Sequence, residues 1–135
     1  MIKNIVFDMG NVILRWDPHY IASKLSNDSL EQEVIERELF ASKQWQKLDQ
    51  GLLTVEEALK ELKTDNPQLI RHALLHWYDY FEPFAEMVAL VKELKEQGYH
   101  IYLLSNCSLQ FDDYYQNIEL LNILMIFIFL HATNY

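Results

Sequence analysis

Two polar sites in this sequence follow apolar runs that are typical of buried strands. Asp8 comes directly after the run at 5–7, and Ser105 and Asn106 end the run that begins at residue 99. A carboxylate at a strand end can be a nucleophile, a metal ligand or an ordinary turn residue. A hydroxyl and an amide beside that carboxylate could hold the oxygens of a phosphate group. The two sites together are therefore a candidate for phosphate chemistry.

The order of predicted elements explains how these side chains could meet. Residues 2–7 and 99–106 are predicted strands, 18 to about 80 a block of short helices, and 84–97 an amphipathic helix. A strand, a crossover and a second strand predict an α/β fold with a parallel sheet. Ligands bind beyond the carboxyl ends of such strands, where both polar sites fall.

Helix starts within the block carry recognisable signals. Thr54 and Glu57 have the spacing of a capping box, in which each side chain accepts a hydrogen bond from the other residue's backbone. Asp28 or Ser29 can cap the predicted helix "LEQEVIERELF" (30–40). Asn66 and Pro67 start another predicted helix, which runs through "QLIRHALLHWYDYF" (68–81).

Composition limits the classes of function. The chain has 135 residues, half of them apolar, which suits one compact domain. A net charge of −9 disfavours nucleic acid and membrane surfaces as partners, because both attract clustered Lys and Arg. Cys107 is the one cysteine, so no internal disulfide is expected, and a cytoplasmic location is predicted. The apolar run at 120–130 is shorter than the ~20 residues of a membrane span.

Several segments resemble the haloacid dehalogenase (HAD) superfamily, whose members are mostly phosphatases. "IVFDMGNVIL" (5–14) resembles its first motif and "IYLLSN" (101–106) its second. The helical block is similar to the family's helical cap, and "WQKLDQGLLTVEEAL" (45–59) resembles a cap segment of its sugar-phosphatase-like branch.

The resemblance implies a division of the chain. It implies a partial, HAD-like Rossmannoid parallel sheet with an inserted helical cap. The incomplete α/β core would comprise 1–16 and 82–117, the cap 17–81, and an aberrant hydrophobic tail 118–135.

The resemblance also implies a role for each matching residue. Asp8 would attack phosphorus and form an aspartyl-phosphate, and it would bind Mg²⁺ together with the backbone carbonyl of Gly10. Ser105 would hydrogen-bond the transferring phosphoryl group, with Asn106 beside it. The implied substrate is a small phosphorylated metabolite, with sugar phosphates among the candidates. The oligomeric state is left open.

Two departures from the family pattern bear on activity. Gly10 stands where most phosphatases of the family have a second aspartate, which acts as general acid and base. Asp17 could substitute for it, although a helix cap before Pro18 is the simpler interpretation. The family also has a lysine and an acidic loop downstream of the second motif. Lys92 and Lys95 precede that motif and do not match the lysine.

The tail is unlike the rest of the chain. Its apolar residues follow neither the strand period nor the helix period. A one-base shift of the reading frame would turn Ile126 into Asp and Tyr135 into Leu, which suits the family segment before its third strand. One hypothesis is therefore a frameshifted fragment of a longer hydrolase. The other is a genuine hydrophobic terminus, such as a partner-binding edge strand.

Other functions remain open at this stage. A catalytically inactive fragment or a non-enzymatic interaction module is the main alternative to a phosphatase. Dehalogenation, which uses the same aspartate without a metal, is a third.

Several further side chains have two interpretations each. His72 and His76 have a metal-ligand spacing, but a polar helix face is the simpler interpretation. Cys107 lies near the proposed site and is interpreted as a spectator thiol. Four aromatic residues could line a pocket, although core packing is favoured: Trp45, Trp77, Tyr78 and Tyr80.

Overall fold

A computed structural model describes residues 1–105 and 107–124, and the backbone of 126–129. Within these residues the strands are β1 (Asn4–Phe7), β2 (Leu14–Arg15), β3 (Glu82–Pro83), β4 (His100–Ser105) and β5 (Ile126–Phe129). The α-helices are α1 (Pro18–Leu25), α2 (Ser29–Val34), α3 (Lys43–Asp49), α4 (Val55–Glu61), α5 (Pro67–His76), α6 (Ala85–Glu96), α7 (Phe111–Tyr114) and α8 (Glu119–Ile123).

Three of the strands form one parallel sheet in the order β1-β4-β5. The predicted α/β class and the parallel pairing of the first strand with the strand ending at Ser105 are therefore confirmed. Phe7 pairs with Leu103, so Asp8 and Ser105 both follow at the carboxyl end of the sheet. The first strand is shorter than predicted, because pairing begins at Asn4 and Ile2 is exposed.

The helical block connects to the sheet through a short antiparallel pair. β2 precedes the first helix and β3 follows the last helical turn of the block. Leu14 pairs with Pro83 and Arg15 with Glu82, so the chain enters and leaves the block side by side. Leu14 is fully buried, which anchors this pair in the core.

The predicted caps form. Asp28, rather than Ser29, accepts hydrogen bonds from the first turn of α2, and Asn66 accepts one from Leu69 at the start of α5. Thr54 and Glu57 form the predicted capping box of α4. These contacts satisfy backbone N–H groups that a helix start leaves without intrahelical partners.

Two helices of the block end differently from the sequence pattern. After α2 the chain continues as a π-helical turn over Ile35–Phe40, in which the amide of Ala41 donates to the carbonyl of Glu36. The helix predicted to run on through the aromatic residues stops at His76, and a 3-10 turn covers Trp77–Tyr80. Trp77, the first residue of this tighter turn, is buried.

The amphipathic helix predicted before the second motif is α6, which packs against β4. Val91 is fully buried, and Met87, Val88 and Leu94 pack against the core around it. Gly98 follows with a φ of 93°, the left-handed conformation that ends many helices and that glycine adopts without strain.

The described part of the tail continues the α/β pattern. Leu120 and Leu121 of α8 are buried, and the backbone of β5 pairs in parallel with β4. None of the described helices is long and apolar enough to cross a membrane.

Candidate active site

A cavity of about 630 Å³ opens at the carboxyl ends of β1 and β4. Its described lining includes both Asp8 and Ser105, which lie on neighbouring strands. Asp49, Trp45 and Trp77 of the helical block complete the wall from the other side. The volume is within the range of about 300–1,000 Å³ that is common for small-molecule sites.

The turn after β1 fixes the backbone around Asp8. The amide of Met9 donates to Asp8 Oδ1 at 2.7 Å, and the carbonyl of Met9 accepts from the amide of Leu14 at 3.0 Å. The amide of Asn11 donates to the carbonyl of Leu14 at 2.6 Å, which closes the loop. Met9 itself is buried, so the turn is anchored in the core while Asp8 stays exposed to the cavity.

Asn11, rather than Gly10, takes the unusual backbone conformation of this turn. Asn11 has a φ of 56°, which asparagine tolerates better than most residues. Its side-chain oxygen accepts from the amide of Trp16 at 2.8 Å, linking the turn to the start of the helical block. A Cβ built on Gly10 would meet nothing within 4 Å, so sterics do not demand glycine there.

Ser105 is the last residue of β4, is 6% exposed and is among the residues that line the cavity. The predicted partner Asn106 lies outside the described residues. Two of the residues to which the sequence assigned phosphate chemistry, Asp8 and Ser105, are thus brought together by the sheet register.

Asp49 is a cavity residue that the sequence analysis missed. It ends α3, and its carboxyl group faces the same cavity as Asp8 although the residue as a whole is exposed. Burial of the carboxyl group, followed by the negative charge of Asp8, raises the pKa of Asp49. A signal was present, because Asp49 lies four residues after Trp45 and therefore on the same helix face.

Aromatic rings form the wall opposite the sheet. Trp16 stacks on Trp45 with centroids 5.3 Å apart and an interplanar angle of 14°. Trp77 meets both rings edge-on, at 5.8 Å from Trp16 and 5.1 Å from Trp45. Core packing was the favoured interpretation for Trp45 and Trp77, and Trp77 does lie in the core with Trp45 packed against it. Both residues also line the cavity. Tyr78 instead stacks on Tyr114 at 5.3 Å.

Gln110 holds the buried Trp77 in place. The indole Nε1 of Trp77 donates to Gln110 Oε1 at 3.0 Å, and Gln110 Nε2 donates to the carbonyl of Leu74 at 2.6 Å. Gln110 is 5% exposed and belongs to the segment that follows β4. The loop beyond the second motif is therefore tied to the helical block through one amide side chain.

Two further groups near the cavity stay protonated at neutral pH. Burial, followed by the negative charges of Asp49 and Asp112, raises the pKa of the Cys107 thiol to about 11. Burial raises the pKa of the Tyr114 hydroxyl as well, and this ring lines the cavity. These shifts fit the interpretation of Cys107 as an unreactive thiol and make Tyr114 a neutral group in the wall.

The cavity is acidic. Its described lining contains Asp8 and Asp49 but no Lys, Arg or His. Lys95, which precedes the second motif, donates to the carbonyl of Ile123 at 2.6 Å instead. An anionic ligand would therefore need a cation to accompany it into this part of the site.

The remaining candidates lie elsewhere. Asp17 caps α1 by accepting from the amide of Tyr20 at 3.0 Å, and it pairs with Arg15 at 3.0 Å. His72 and His76 place their rings 4.8 Å apart, and His76 Nδ1 lies 3.2 Å from Asp79 Oδ2. Across the described part of the chain, no group of three or more His, Cys, Asp or Glu could hold a metal ion.

No family model matches the sequence, and no curated protein is similar to it at a significant level. Solved structures do match. A predicted HAD-like family hydrolase from Porphyromonas gingivalis shares 22% identity over 95% of this chain and 66% of its own, with a TM-score of 0.59.

Two other structures match with similar TM-scores and lower identity. One is a HAD family enzyme from Bacteroides thetaiotaomicron, solved in complex with magnesium and inorganic phosphate, with 18% identity and a TM-score of 0.58 over 95% of this chain and 68% of its own. The other is the L-2-haloacid dehalogenase from Xanthobacter autotrophicus, solved with chloropropionic acid covalently bound. It has 16% identity and a TM-score of 0.58 over 95% of this chain and 56% of its own.

The chain spans between about half and two thirds of the length of these three structures. They include a predicted hydrolase and one dehalogenase, and the parallel sheet and helices described above match their architecture. The protein therefore has the α/β fold of the HAD superfamily.

Proposed function

We propose that this protein is a Mg²⁺-dependent phosphatase of small phosphorylated metabolites, with Asp8 as its nucleophile. The observation that carries the proposal is the cavity at the carboxyl ends of β1 and β4, which contains both Asp8 and Ser105. Phosphoryl transfer needs in-line positioning and charge neutralisation more than elaborate covalent chemistry. A carboxylate and a hydroxyl on adjacent strand ends can supply the positioning.

The proposed reaction has two steps. A carboxylate oxygen of Asp8 attacks phosphorus, and the bond between phosphorus and the ester oxygen of the substrate breaks as the aspartyl-phosphate forms. The released alkoxide takes a proton from water and leaves as the alcohol. Water then attacks that phosphorus, releasing inorganic phosphate and the free carboxylate. The Ser105 hydroxyl donates to a phosphoryl oxygen throughout, and Asn106 is proposed to lie beside it.

The donor set of the cavity fits Mg²⁺. Asp8 and the carbonyl of Gly10 would hold the ion, and the second carboxylate of Asp49 adds negative charge to the same cavity. These are hard oxygen ligands, and Mg²⁺ commonly takes one or two carboxylates together with substrate phosphate oxygens. The ion would neutralise charge on the phosphoryl group in a site whose described lining provides no basic side chain.

We also propose that the chain divides into a catalytic core and a cap. We assign 1–16 and 82–117 to the catalytic core and 17–81 to a cap that covers it. The β2–β3 pairing at the base of the helical block supports this assignment, because it marks where the block leaves the sheet region. The cap supplies Trp45 and Asp49 to the cavity.

A phosphate-release assay on the full chain tests the function. We expect hydrolysis of 4-nitrophenyl phosphate that needs added Mg²⁺ and stops with EDTA. Asp8→Asn should lower kcat by about 10³-fold or more, because it removes the nucleophile. Asp65→Asn, a matched change at an exposed position away from the cavity, should leave kcat unchanged. Phosphate release that persists in Asp8→Asn would refute the assignment.

Dehalogenation is the second candidate, because a structural neighbour is an L-2-haloacid dehalogenase. The cavity argues against it. A haloacid carboxylate would enter without a metal ion, and no Lys, Arg or His in the described lining could pair with it. Chloride release from 2-chloropropionate, measured with the same protein, distinguishes the two activities.

A further inference from the structure

The three tryptophans of the chain lie in one cluster. Trp16, Trp45 and Trp77 are far apart in sequence, yet all three line the cavity that contains Asp8. Their centroids are 5.1 to 5.8 Å apart, and the stacked pair presents parallel ring planes. Phe81 and Tyr114 extend the same wall, and we call these five residues the aromatic wall.

Trp77 contributes apolar surface to this wall rather than a hydrogen bond. Its indole N–H is already donated to Gln110 Oε1 at 3.0 Å. The donor is therefore unavailable to a ligand. Trp16 and Trp45 are half-buried, so parts of their rings remain accessible from the cavity. Indole rings offer large, rigid apolar surfaces on which flat groups stack.

The charges of the cavity restrict what can lie against this wall. Asp8 and Asp49 are the acidic groups in the described lining, and no basic side chain accompanies them. A Mg²⁺ ion would compensate the phosphoryl group at Asp8. It would leave Asp49, on the helical block, facing the remainder of the ligand. A second anionic group there would meet like charge in a partly enclosed space.

The aromatic wall and the carboxylate of Asp49 together restrict which leaving groups the cavity accepts. We propose that the aromatic wall selects phosphate monoesters whose leaving group is an uncharged ring, and that Asp49 excludes leaving groups that carry a second negative charge. Aryl and sugar rings share this chemistry, because both present an apolar face. The inference rests on the proposed function and names the substrate class of that site.

The clustering of the tryptophans also provides the assay. With excitation at 295 nm, intrinsic fluorescence reports on the aromatic wall alone, because the chain has no tryptophan elsewhere. The full chain with Mg²⁺ is titrated with phenyl phosphate, 4-carboxyphenyl phosphate, glucose 6-phosphate and inorganic phosphate. Phosphate release is recorded in parallel with the same compounds.

We expect phenyl phosphate to bind at least tenfold more tightly than 4-carboxyphenyl phosphate, which differs by one negative charge. The glucose 6-phosphate titration shows whether the wall prefers a sugar ring or an aryl ring. Asp49→Asn should reduce the discrimination within the aryl pair to less than threefold. Equal affinities for the aryl pair in the unsubstituted chain would overturn the inference.

Substitution of Trp45 tests the wall itself. Trp45→Ala should weaken phenyl phosphate at least tenfold and leave inorganic phosphate within twofold, whereas Trp45→Phe should retain most of the affinity. Leu75→Ala, at an exposed position outside the cavity, serves as the control. Equal losses for phenyl phosphate and inorganic phosphate would indicate a merely structural role and overturn the inference.

The two proposals fail in different ways. Asp8-dependent phosphate release without discrimination within the aryl pair would refute the specificity and leave the phosphatase function. Discrimination in binding without Asp8-dependent release would refute the phosphatase function and leave the ligand class. Failure of every ester to bind would refute both.

Discussion

Gln110 joins two regions that the sequence separates widely, and its removal should destabilise the fold measurably. Its amide accepts from the indole of Trp77 and donates to the carbonyl of Leu74. Leu74 lies in the last turn of α5, where helical carbonyls lack an intrahelical partner. Gln110→Ala therefore leaves one donor and one acceptor without their partner in a buried environment.

The expected cost follows from those two groups. A buried polar group left without a partner costs about 1–3 kcal/mol, and partial access of water to the new space lowers the total. We expect Gln110→Ala to reduce the free energy of unfolding by about 2–4 kcal/mol. This is a large share of the ~5–15 kcal/mol that stabilises a typical domain.

Urea denaturation followed by far-UV circular dichroism measures the effect. With an m-value of about 2 kcal/mol per M, the midpoint should fall by roughly 1–2 M. Gln97→Ala is the matched control, because Gln97 is exposed and its side chain donates to Glu93 Oε1 at the long distance of 3.4 Å. That variant should change the free energy of unfolding by less than about 0.5 kcal/mol.

The double variant separates the hydrogen bond to Trp77 from the rest. Trp77→Phe removes the indole donor, so combining it with Gln110→Ala should cost less than the sum of the single changes. Equal midpoints for Gln110→Ala and Gln97→Ala would refute the reasoning. Strict additivity with Trp77→Phe would show that the indole–amide bond contributes nothing.

Three other changes have defined outcomes. Gly10→Asp should raise kcat for phosphate release by about 10²-fold, because general acid–base catalysis is worth roughly 10²–10⁴-fold. The position has room for a side chain. An equal rise in kcat with Gly10→Asn would exclude proton transfer as the cause. Asp49→Asn, measured in EDTA, should raise the urea midpoint at pH 7. The raised pKa of Asp49 means that the folded state disfavours its charged form. The gain in midpoint should therefore shrink as the pH falls towards 4, where the carboxyl group becomes protonated. A gain that grows on acidification would contradict the upward direction of the pKa shift. Cys107, which is 2% exposed with a pKa of about 11, should react slowly with 5,5′-dithiobis(2-nitrobenzoate) at pH 8 and faster as the pH rises; equal rates in folded and urea-unfolded chains would contradict its protection.

Features that depend on neighbouring residues were predictable from the sequence. The capping box of Thr54 and Glu57 formed because both partners lie within one helical turn. The run before Asp8 became a strand, and the apolar face around Val91 became the buried side of α6. Each of these patterns is local, so the periodicity of the sequence carries the information.

The parallel pairing of β1 with β4 was also predictable, although it is not local. Two apolar runs separated by a helical crossover have few other ways to bury their side chains. That pairing was sufficient to bring Asp8 and Ser105 to one edge. The position of two of the proposed site residues therefore followed from topology rather than from side-chain detail.

The wall contributed by the helical block was not predictable in the same way. Trp45 and Trp77 have helical spacings that suit a core as well as a cavity, and periodicity does not distinguish the two. Asp49 and Asp8 line one cavity although 40 residues separate them in the sequence, so local pattern does not predict their meeting. The left-handed residue of the turn after β1 was likewise not predicted from the sequence. Asn11 takes that conformation, and its side chain accepts a hydrogen bond from the amide of Trp16.

The β2–β3 pairing has a consequence for how such a protein can diversify. Arg15 and Glu82 are directly opposite each other, so the 66 intervening residues begin and end at almost the same point in space. A tight turn between these two strands would close the gap with the register preserved. An insertion held in this way is modular: it can be exchanged, lengthened or deleted while the sheet and its Asp8 edge keep their connectivity. Recombination at this junction would then replace Trp45 and Asp49 in the cavity wall and keep Asp8 and Ser105.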